Sequence, residues 1–394
     1  MISVEAALDA LFALVRPLGT EEVPLREAAG RVMRADVHAF RDQPPFPGSA
    51  MDGYAVIAEE AQPHAMFRVI GESAAGRRFE GQVKPGQAVR IFTGAPVPEG
   101  ATRVVLQEDV TRTGDIITLT DPLDAGPHIR PAGVDFRQGD TFAAPRLLRP
   151  ADVALLAAMN QPTVTVSRQP TVALISTGDE LVLPGEDPGP DQIVASNTFG
   201  LEALFRTLGA RPRILPIARD TRASLESAFH LAADADLVVT IGGASVGDHD
   251  LVGRVAGELG MEQSFYKVAM RPGKPLMAGR MWADLGGAMM IGLPGNPVSA
   301  MVCGHVFAAP VLRAFQGLAR EPAPLAHAPL LAPLPANGPR MHYMRARLSP
   351  EGLRAFDSQD SSLLSILSEA GALIQRPPHA PAAQAGEILP YLPI

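Results

Sequence analysis

The sequence predicts an α/β and β multidomain protein: a doubly wound parallel-sheet domain, a small β domain inserted into a helical linker module, and a C-terminal β-barrel-like domain. Three observations predict it. From Thr171 onward, apolar β-branched runs alternate with amphipathic helical stretches. Between Met66 and about Leu148, short β-rich runs are divided by Gly and Pro turns, with helical patterns on both sides. Beyond Gly317, a Pro- and Ala-rich tether leads to further paired β runs. The domains this implies are 1–45 together with 140–167, 46–139, 168–317 and 318–394.

Taken in order, the chain opens with a helix. Ser3 can cap it, Val4, Ala7, Leu8, Leu11, Phe12 and Val15 keep the helical period, and Pro17 with Gly19 ends it. LREAAGRVMRADVHA reads as a second helical segment; the prolines of RDQPPFPGSAMDGYAV then forbid helix and place Asp52 in a constrained turn. FRVIG, QAVRIFTGA, ATRVVLQEDV and DIITLT are strands of the inserted domain, and RPADVALLAAMNQ is a helix that returns the chain to the linker module. TVALI, RILPI, LVVTI, QSFYKVAM and AMMIGL are then strands, separated by helices over SNTFGLEALFRTLG, TRASLESAFHLAADA and LVGRVAGELG and followed by a long helix from Val298. In the last domain MHYMRARL and LRAF pair, SSLLSILSEAGALIQ is a short amphipathic turn and strand, and GEILPYLPI closes the sheet.

Composition limits what such a chain does. A net charge of -8 argues against phosphate-dominated nucleic-acid binding. No uninterrupted apolar run approaches the roughly 20 residues of a membrane span, and the acidic, amphipathic N-terminus lacks a secretory pattern, so a cytoplasmic location is expected. The single cysteine, Cys303, excludes an intrachain disulfide framework and lies in an apolar helical pattern. HExxH, GxGxxG and GxxxxGK[ST] motifs are all missing, which removes the usual zinc-hydrolase, dinucleotide and P-loop readings.

In an open parallel sheet the ligand crevice lies beyond the carboxyl ends of the strands. Those ends here are STGDE, ARD, GGASVGDHD, RPGKP and GLPGNP. Gly242, Gly243 and Gly247 allow close backbone approach, and Asp248 and Asp250 suit a cation, although a strand-to-helix turn with capping acids has the same composition. Glu180, Asp220 and Asp250 are therefore expected to face Lys267, Arg271 and Lys274 across one cleft, with the carboxylates holding Mg²⁺ against a phosphoanhydride while the cations grip other oxygens. Asp52 alone reads as a turn residue bonding its own backbone, and Arg345 as an exposed strand charge.

GSAMDGYAV, IFTGAPVPEGA, STGDEL, GGASVGDHD, RPGKP and GLPGNPVSA, in this order and spacing, resemble the molybdopterin molybdenumtransferase family, which includes the E domain of gephyrin. The resemblance covers essentially the whole chain. It implies a molybdopterin-binding, Rossmann-like three-layer domain within an elongated homodimer of four-part subunits. The implied reaction turns adenylylated molybdopterin and molybdate into molybdenum cofactor and AMP, with a divalent ion, usually Mg²⁺.

Carried over by position, the resemblance makes Asp52 and Thr93 contributors to the partner subunit's cleft and Glu180, Asp220 and Asp250 active-site acids. Lys267 and Lys274 fall on basic positions, and Arg271 stands where the family often has lysine. Asp135 fits a further acidic position, within GVD rather than the usual GED. Gly242, Gly243, Ser245 and Gly247 form the substrate loop, Pro294, Gly295 and Pro297 shape the pocket, and Arg345, Ser361 and Ser362 lie where molybdate binds; a guanidinium fork with hydroxyl donors suits a tetrahedral dianion. Two other readings share parts of this pattern: a molybdopterin adenylyltransferase, and a non-enzymatic dimeric scaffold of the same fold.

Overall fold

A computed structural model describes residues 1–243, 251–281 and 287–394. α1 (Val4–Leu14) starts where Ser3 Oγ accepts the Ala6 amide at 3.1 Å. Its buried stripe of Val4, Ala7, Leu8, Leu11 and Phe12 follows the predicted period, but it joins the main core of the α/β domain with Phe265, Leu276 and Leu312 rather than the linker module. The linker module also differs from expectation between Leu25 and Ala39. Instead of a second helix there is a 3-10 turn, Leu25–Glu27, followed by the strands Val32–Met33 and Val37–His38. Gly30 has φ +76°, which stops a helix after one turn, and Val32 and Met33 are both buried, so adjacent side chains need cover on two sides. The module is a four-stranded sheet, Thr20–Pro24, Thr163–Ser167, Val32–Met33 and Arg146–Leu147 in spatial order, with α2 (Pro150–Ala158) beside it.

Two short pairings, Val37–His38 with Thr141–Phe142 and Gly48–Ser49 with Ile129–Arg130, make the neck from which the inserted domain extends. Its six strands run, in spatial order, Arg103–Leu106, Gly53–Val56, Gln87–Ile91, Met66–Ser73, Ile116–Leu119 and Val110–Thr113.

The α/β domain is three-layered. Its strands lie in the order Arg211–Ile214, Thr171–Ser176, Leu237–Ile241, Met289–Leu293, Met277–Arg280 and Glu262–Tyr266. Along Thr171–Ser176, Val172 and Leu174 join the core shared with α1 and α3 (Asn197–Thr207), whereas Ala173 and Ile175 join the core under α4 (Arg222–Leu231) and α5 (Leu251–Glu258). This alternation across a sheet buried on both faces is why every residue of Leu237–Ile241 is buried. Each aliphatic side chain fully buried this way contributes roughly 1.5–3 kcal/mol. The sheet is not wholly parallel: Met277–Arg280 is antiparallel to both neighbours, so RPGKP caps a hairpin rather than a crossover.

The run from Pro297 to Phe315 is α6 (Pro297–Cys303), a π turn (Gly304–Ala308) and α7 (Ala309–Phe315). It is long and apolar enough to cross a membrane by composition, and 83% of it is buried in the protein. The C-terminal sheet runs Met270–Arg271, Met341–Ser349, Ala372–Arg376, Ile388–Pro393 and Ala326–Pro329, with Gly352–Ala355 paired to the long strand and α8 (Leu364–Ser368) before Ala372. Met270–Arg271 belongs to the RPGKP loop of the α/β domain, so one strand of this sheet is borrowed from its neighbour.

Candidate active site

The carboxyl ends of the parallel strands open onto a cavity of about 1050 Å³. Ser176, Thr177, Ile241, Gly242 and Gly243 line it at the ends of two adjacent parallel strands, Thr171–Ser176 and Leu237–Ile241. The two glycines are required there. Gly242 and Gly243 have φ +93° and +64°, and a Cβ at Gly243 would lie 2.2 Å from Val252 Cγ2. Glu180 and Asp220 bring two carboxylates to the cavity from adjacent loops. The Glu180 carboxylate folds over Gly178, where an added Cβ would come within 2.3 Å of Glu180 Oε2. Asp220 donates its amide to Asp179 Oδ1 at 3.1 Å, tying its loop to the one that carries Glu180.

The opposite side is Pro294, Gly295, Asn296 and Pro297, leading into α6 and the buried Ser299. Asn197 Nδ2 donates to the Gly295 carbonyl at 2.7 Å and fixes this loop against α3. Ser362, from the C-terminal domain, completes the lining. Its amide and hydroxyl both donate to Asp360 Oδ1 at 2.8 Å, bonds that hold the Asp360 carboxyl below its usual range. Ser361 bridges the domains: its hydroxyl accepts from Asn296 Nδ2, and its carbonyl accepts from the Val298 amide, both at 3.1 Å.

Arg345 is not an exposed strand charge. It is 2% exposed, and burial lowers its pKa. Its guanidinium donates to the Leu363 carbonyl at 3.1 Å and the Ser358 carbonyl at 3.3 Å, spanning the loop that carries Ser361 and Ser362. In this arrangement it shapes the loop rather than facing the cavity.

The three expected cations lie on the segment that ends at Pro275, itself a lining residue of the cavity. Lys267, Arg271 and Lys274 do not line the cavity. Lys267 Nζ sits 5.0 Å from the Tyr266 ring centre, and Arg271 lines a separate cavity of about 580 Å³ with His342, Arg347 and Arg354. The loan of Met270–Arg271 to the C-terminal sheet holds the start of this segment against that sheet, while its last residue, Pro275, lines the cavity. The cations that do line the cavity are Arg222 and Arg254, which sequence reasoning missed. Arg222 is engaged by Glu226 at 2.7 Å and Glu258 at 3.4 Å. Its signal was present: it follows Thr221, the N-cap of the helix after ARD.

Asp52 and Thr93 lie together in the inserted domain and do not line the cavity. Asp52 Oδ1 accepts both the Thr93 amide and the Thr93 hydroxyl, each at 2.7 Å, and the amide followed by the hydroxyl lowers its pKa. Asp135 is at the neck, its amide donating to the Gln43 carbonyl at 3.0 Å and its residue exposed. Ser245, Gly247, Asp248 and Asp250 lie outside the described residues.

Among the described residues no group of three or more His, Cys, Asp or Glu side chains converges as a metal cage. Glu180 and Asp220 nevertheless fit Mg²⁺, which takes hard oxygen donors and is commonly held by one or two carboxylates with substrate phosphate and water.

The chain matches three family models in succession: MoeA N-terminal region (domain I and II) over residues 2–160, probable molybdopterin binding domain over 173–314, and MoeA C-terminal region (domain IV) over 327–394. A three-layer α/β domain with its cavity at the strand ends, framed by these flanking modules, defines the molybdopterin-binding multidomain class. A molybdopterin molybdenumtransferase from Nostoc is 37% identical over 331 residues, spanning 81% of this chain and 76% of the relative. Molybdopterin molybdenumtransferase 2 of Mycobacterium tuberculosis is 35% identical over 402 residues, 98% of each chain. The crystal structure of a molybdopterin biosynthesis MoeA protein from Pyrococcus horikoshii superposes with a TM-score of 0.85 at 27% identity, covering 100% of both chains. The chain belongs to the molybdopterin molybdenumtransferase family.

Proposed function

We propose that this protein transfers molybdate into adenylylated molybdopterin, releasing AMP and giving molybdenum cofactor. The observation that carries the reading is the joining of Glu180, Asp220, the Gly242-Gly243 backbone and Ser362 around one cavity of about 1050 Å³. That is the upper end of ordinary ligand-pocket volumes and suits a pterin joined to a nucleotide better than a single small metabolite.

Glu180 and Asp220 would hold Mg²⁺, whose charge offsets the phosphoanhydride oxygens as AMP departs. The residues of this chain do the positioning. Gly242 and Gly243 let the ligand approach the strand ends, and Arg254 offers a cation to its anionic groups beside the Arg222 that Glu226 and Glu258 already engage. The Ser361-Ser362 loop, braced by Arg345, brings to the cavity a Ser362 hydroxyl that would turn from Asp360 to the oxyanion. The protein works as a homodimer in this scheme, because Asp52 and Thr93 lie outside the cavity of their own subunit and would complete the cleft of the partner.

The test supplies purified protein with molybdopterin-AMP, molybdate and Mg²⁺ and follows AMP. Release that needs both molybdate and Mg²⁺, and that falls at least about 100-fold in Asp220→Asn, is the expected outcome, as for loss of one strong electrostatic contact. No AMP release, or equal release by Asp220→Asn, overturns it.

A further inference from the structure

The two carboxylates of the cavity sit on loops with no regular secondary structure, at Gly178–Glu180 and Arg219–Asp220, and one side chain joins those loops. Arg219 reaches back from the residue preceding Asp220. Its Nη1 lies 3.0 Å from the Asp179 carbonyl, 3.0 Å from the Leu181 carbonyl and 3.3 Å from the Gly178 carbonyl. These three carbonyls bracket Glu180. Backbone bonds tie the same loops at their bases: Gly178 donates to the Ala218 carbonyl at 3.1 Å, Ala218 donates to Ser176 at 2.9 Å, and Thr177 bridges Ala218. Arg219 is itself anchored, its amide donating to Ser224 Oγ at 2.9 Å in the first turn of α4.

We infer that Arg219 is a positioning residue that sets the separation of the Glu180 and Asp220 carboxylates. The inference rests on the proposed function for what those carboxylates do. Three features support it. The contacts converge on one guanidinium nitrogen, whose two N–H groups are fixed in a plane and are shared among carbonyls on either side of Glu180, so they restrain that backbone in a way a single hydrogen bond does not. All three partners are backbone carbonyls, so the restraint falls on the main chain that carries Glu180. Its position next to Asp220 means that any movement of one carboxylate loop is transmitted to the other through one short segment. Arg219 does not line the cavity, so its effect reaches the ligand only through the loops it holds.

The experiment compares wild type, Arg219→Lys and Arg219→Gln in the full-length protein by two independent readouts. Amide hydrogen exchange over residues 176–182 reports loop restraint without reference to catalysis; Arg219→Gln is expected to speed it at least about threefold, with exchange elsewhere unchanged. Steady-state AMP release reports carboxylate placement. Arg219→Gln is expected to lower kcat about tenfold with KM for molybdopterin-AMP within about twofold, a split that follows misplacement of reacting groups rather than loss of ligand contact. Arg219→Lys, which retains the charge and three donors, is expected to recover at least about a third of kcat. Unchanged exchange over 176–182 in Arg219→Gln overturns the inference whatever the activity. So does a loss of kcat that Lys does not recover, or one that accompanies unfolding of the variant. Failure of wild type to release AMP overturns the proposed function instead, and leaves the exchange comparison to decide the role of Arg219.

Discussion

The Asn296 side-chain amide donates to Ser361 Oγ at 3.1 Å, joining the loop that precedes α6 to the C-terminal β domain at the rim of the cavity. The neighbouring Val298 amide donates to the carbonyl of the same serine, so one residue of the last domain is held twice by the first turn of a core helix. Asn296→Ala removes only the side-chain bond. A hydrogen bond of this kind is worth about 1 kcal/mol, and kcat/KM for AMP release is expected to fall about fivefold with little change in thermal stability. Steady-state kinetics alongside a melting curve checks it.

If Asp52 and Thr93 complete the partner's cavity, two inactive variants should rescue each other. Asp52→Asn and Asp220→Asn are each expected to be nearly inactive alone. Unfolding and refolding them together produces mixed dimers with one intact site, and random pairing restores about a quarter of wild-type AMP release. An absence of recovery in demonstrably mixed dimers places Asp52 outside the shared site.

The Asp52 carboxylate is held below its usual range chiefly by the Thr93 amide and secondarily by its hydroxyl. Thr93→Val removes the hydroxyl and leaves the amide. NMR titration of Asp52 is therefore expected to give a pKa above that of wild type yet still below an ordinary aspartate.

His342 is buried in the C-terminal sheet, and burial, followed by the repulsion of Arg271, Arg340, Arg345 and Arg376, pushes its pKa down to about 4. An unfolded histidine titrates near 6.5. The native state thus disfavours the proton: its stability contribution is complete above pH 6.5 and is lost as pH falls toward 4, a difference of about 3 kcal/mol. His342→Gln is expected to flatten that part of the stability profile, read from denaturant midpoints between pH 7 and 4.5.

Gly243→Ala forces a left-handed φ of +64° on alanine and drives its Cβ to 2.2 Å from Val252 Cγ2. A destabilisation of about 1–3 kcal/mol is expected from the backbone strain and clash together, with loss of AMP release. Val252→Ala in the same chain removes the contact with Cγ2 but neither the 2.9 Å approach to Thr177 Oγ1 nor the strain, so denaturation should show partial recovery only.

Much of this architecture was legible because it rests on local rules. The apolar runs TVALI and LVVTI are strands, Ser3 and Thr221 cap the helices that follow them, and alternation of strands with helices placed STGDE, ARD and GLPGNP at one edge. Glu180, Asp220, Gly242, Gly243, Pro294, Gly295, Pro297 and Ser362 accordingly meet around one cavity. LREAAGRVMRADVHA misled because its helix-forming composition carried more weight than Gly30, whose positive φ ends the turn.

What the sequence determined by itself was the set of elements, their order, and the acids and glycines at their ends, since periodicity, capping and turn chemistry act over a few residues. The direction of RPGKP, the burial of Arg345, and the presence of Arg222 and Arg254 in the cavity were decided only by tertiary structure. Each depends on a contact between segments far apart in the chain. The antiparallel Met277–Arg280 strand and the pairing of Met270–Arg271 with the last domain set the course of the segment from Lys267 to Lys274, which meets the cavity at Pro275, and no local pattern encodes that pairing.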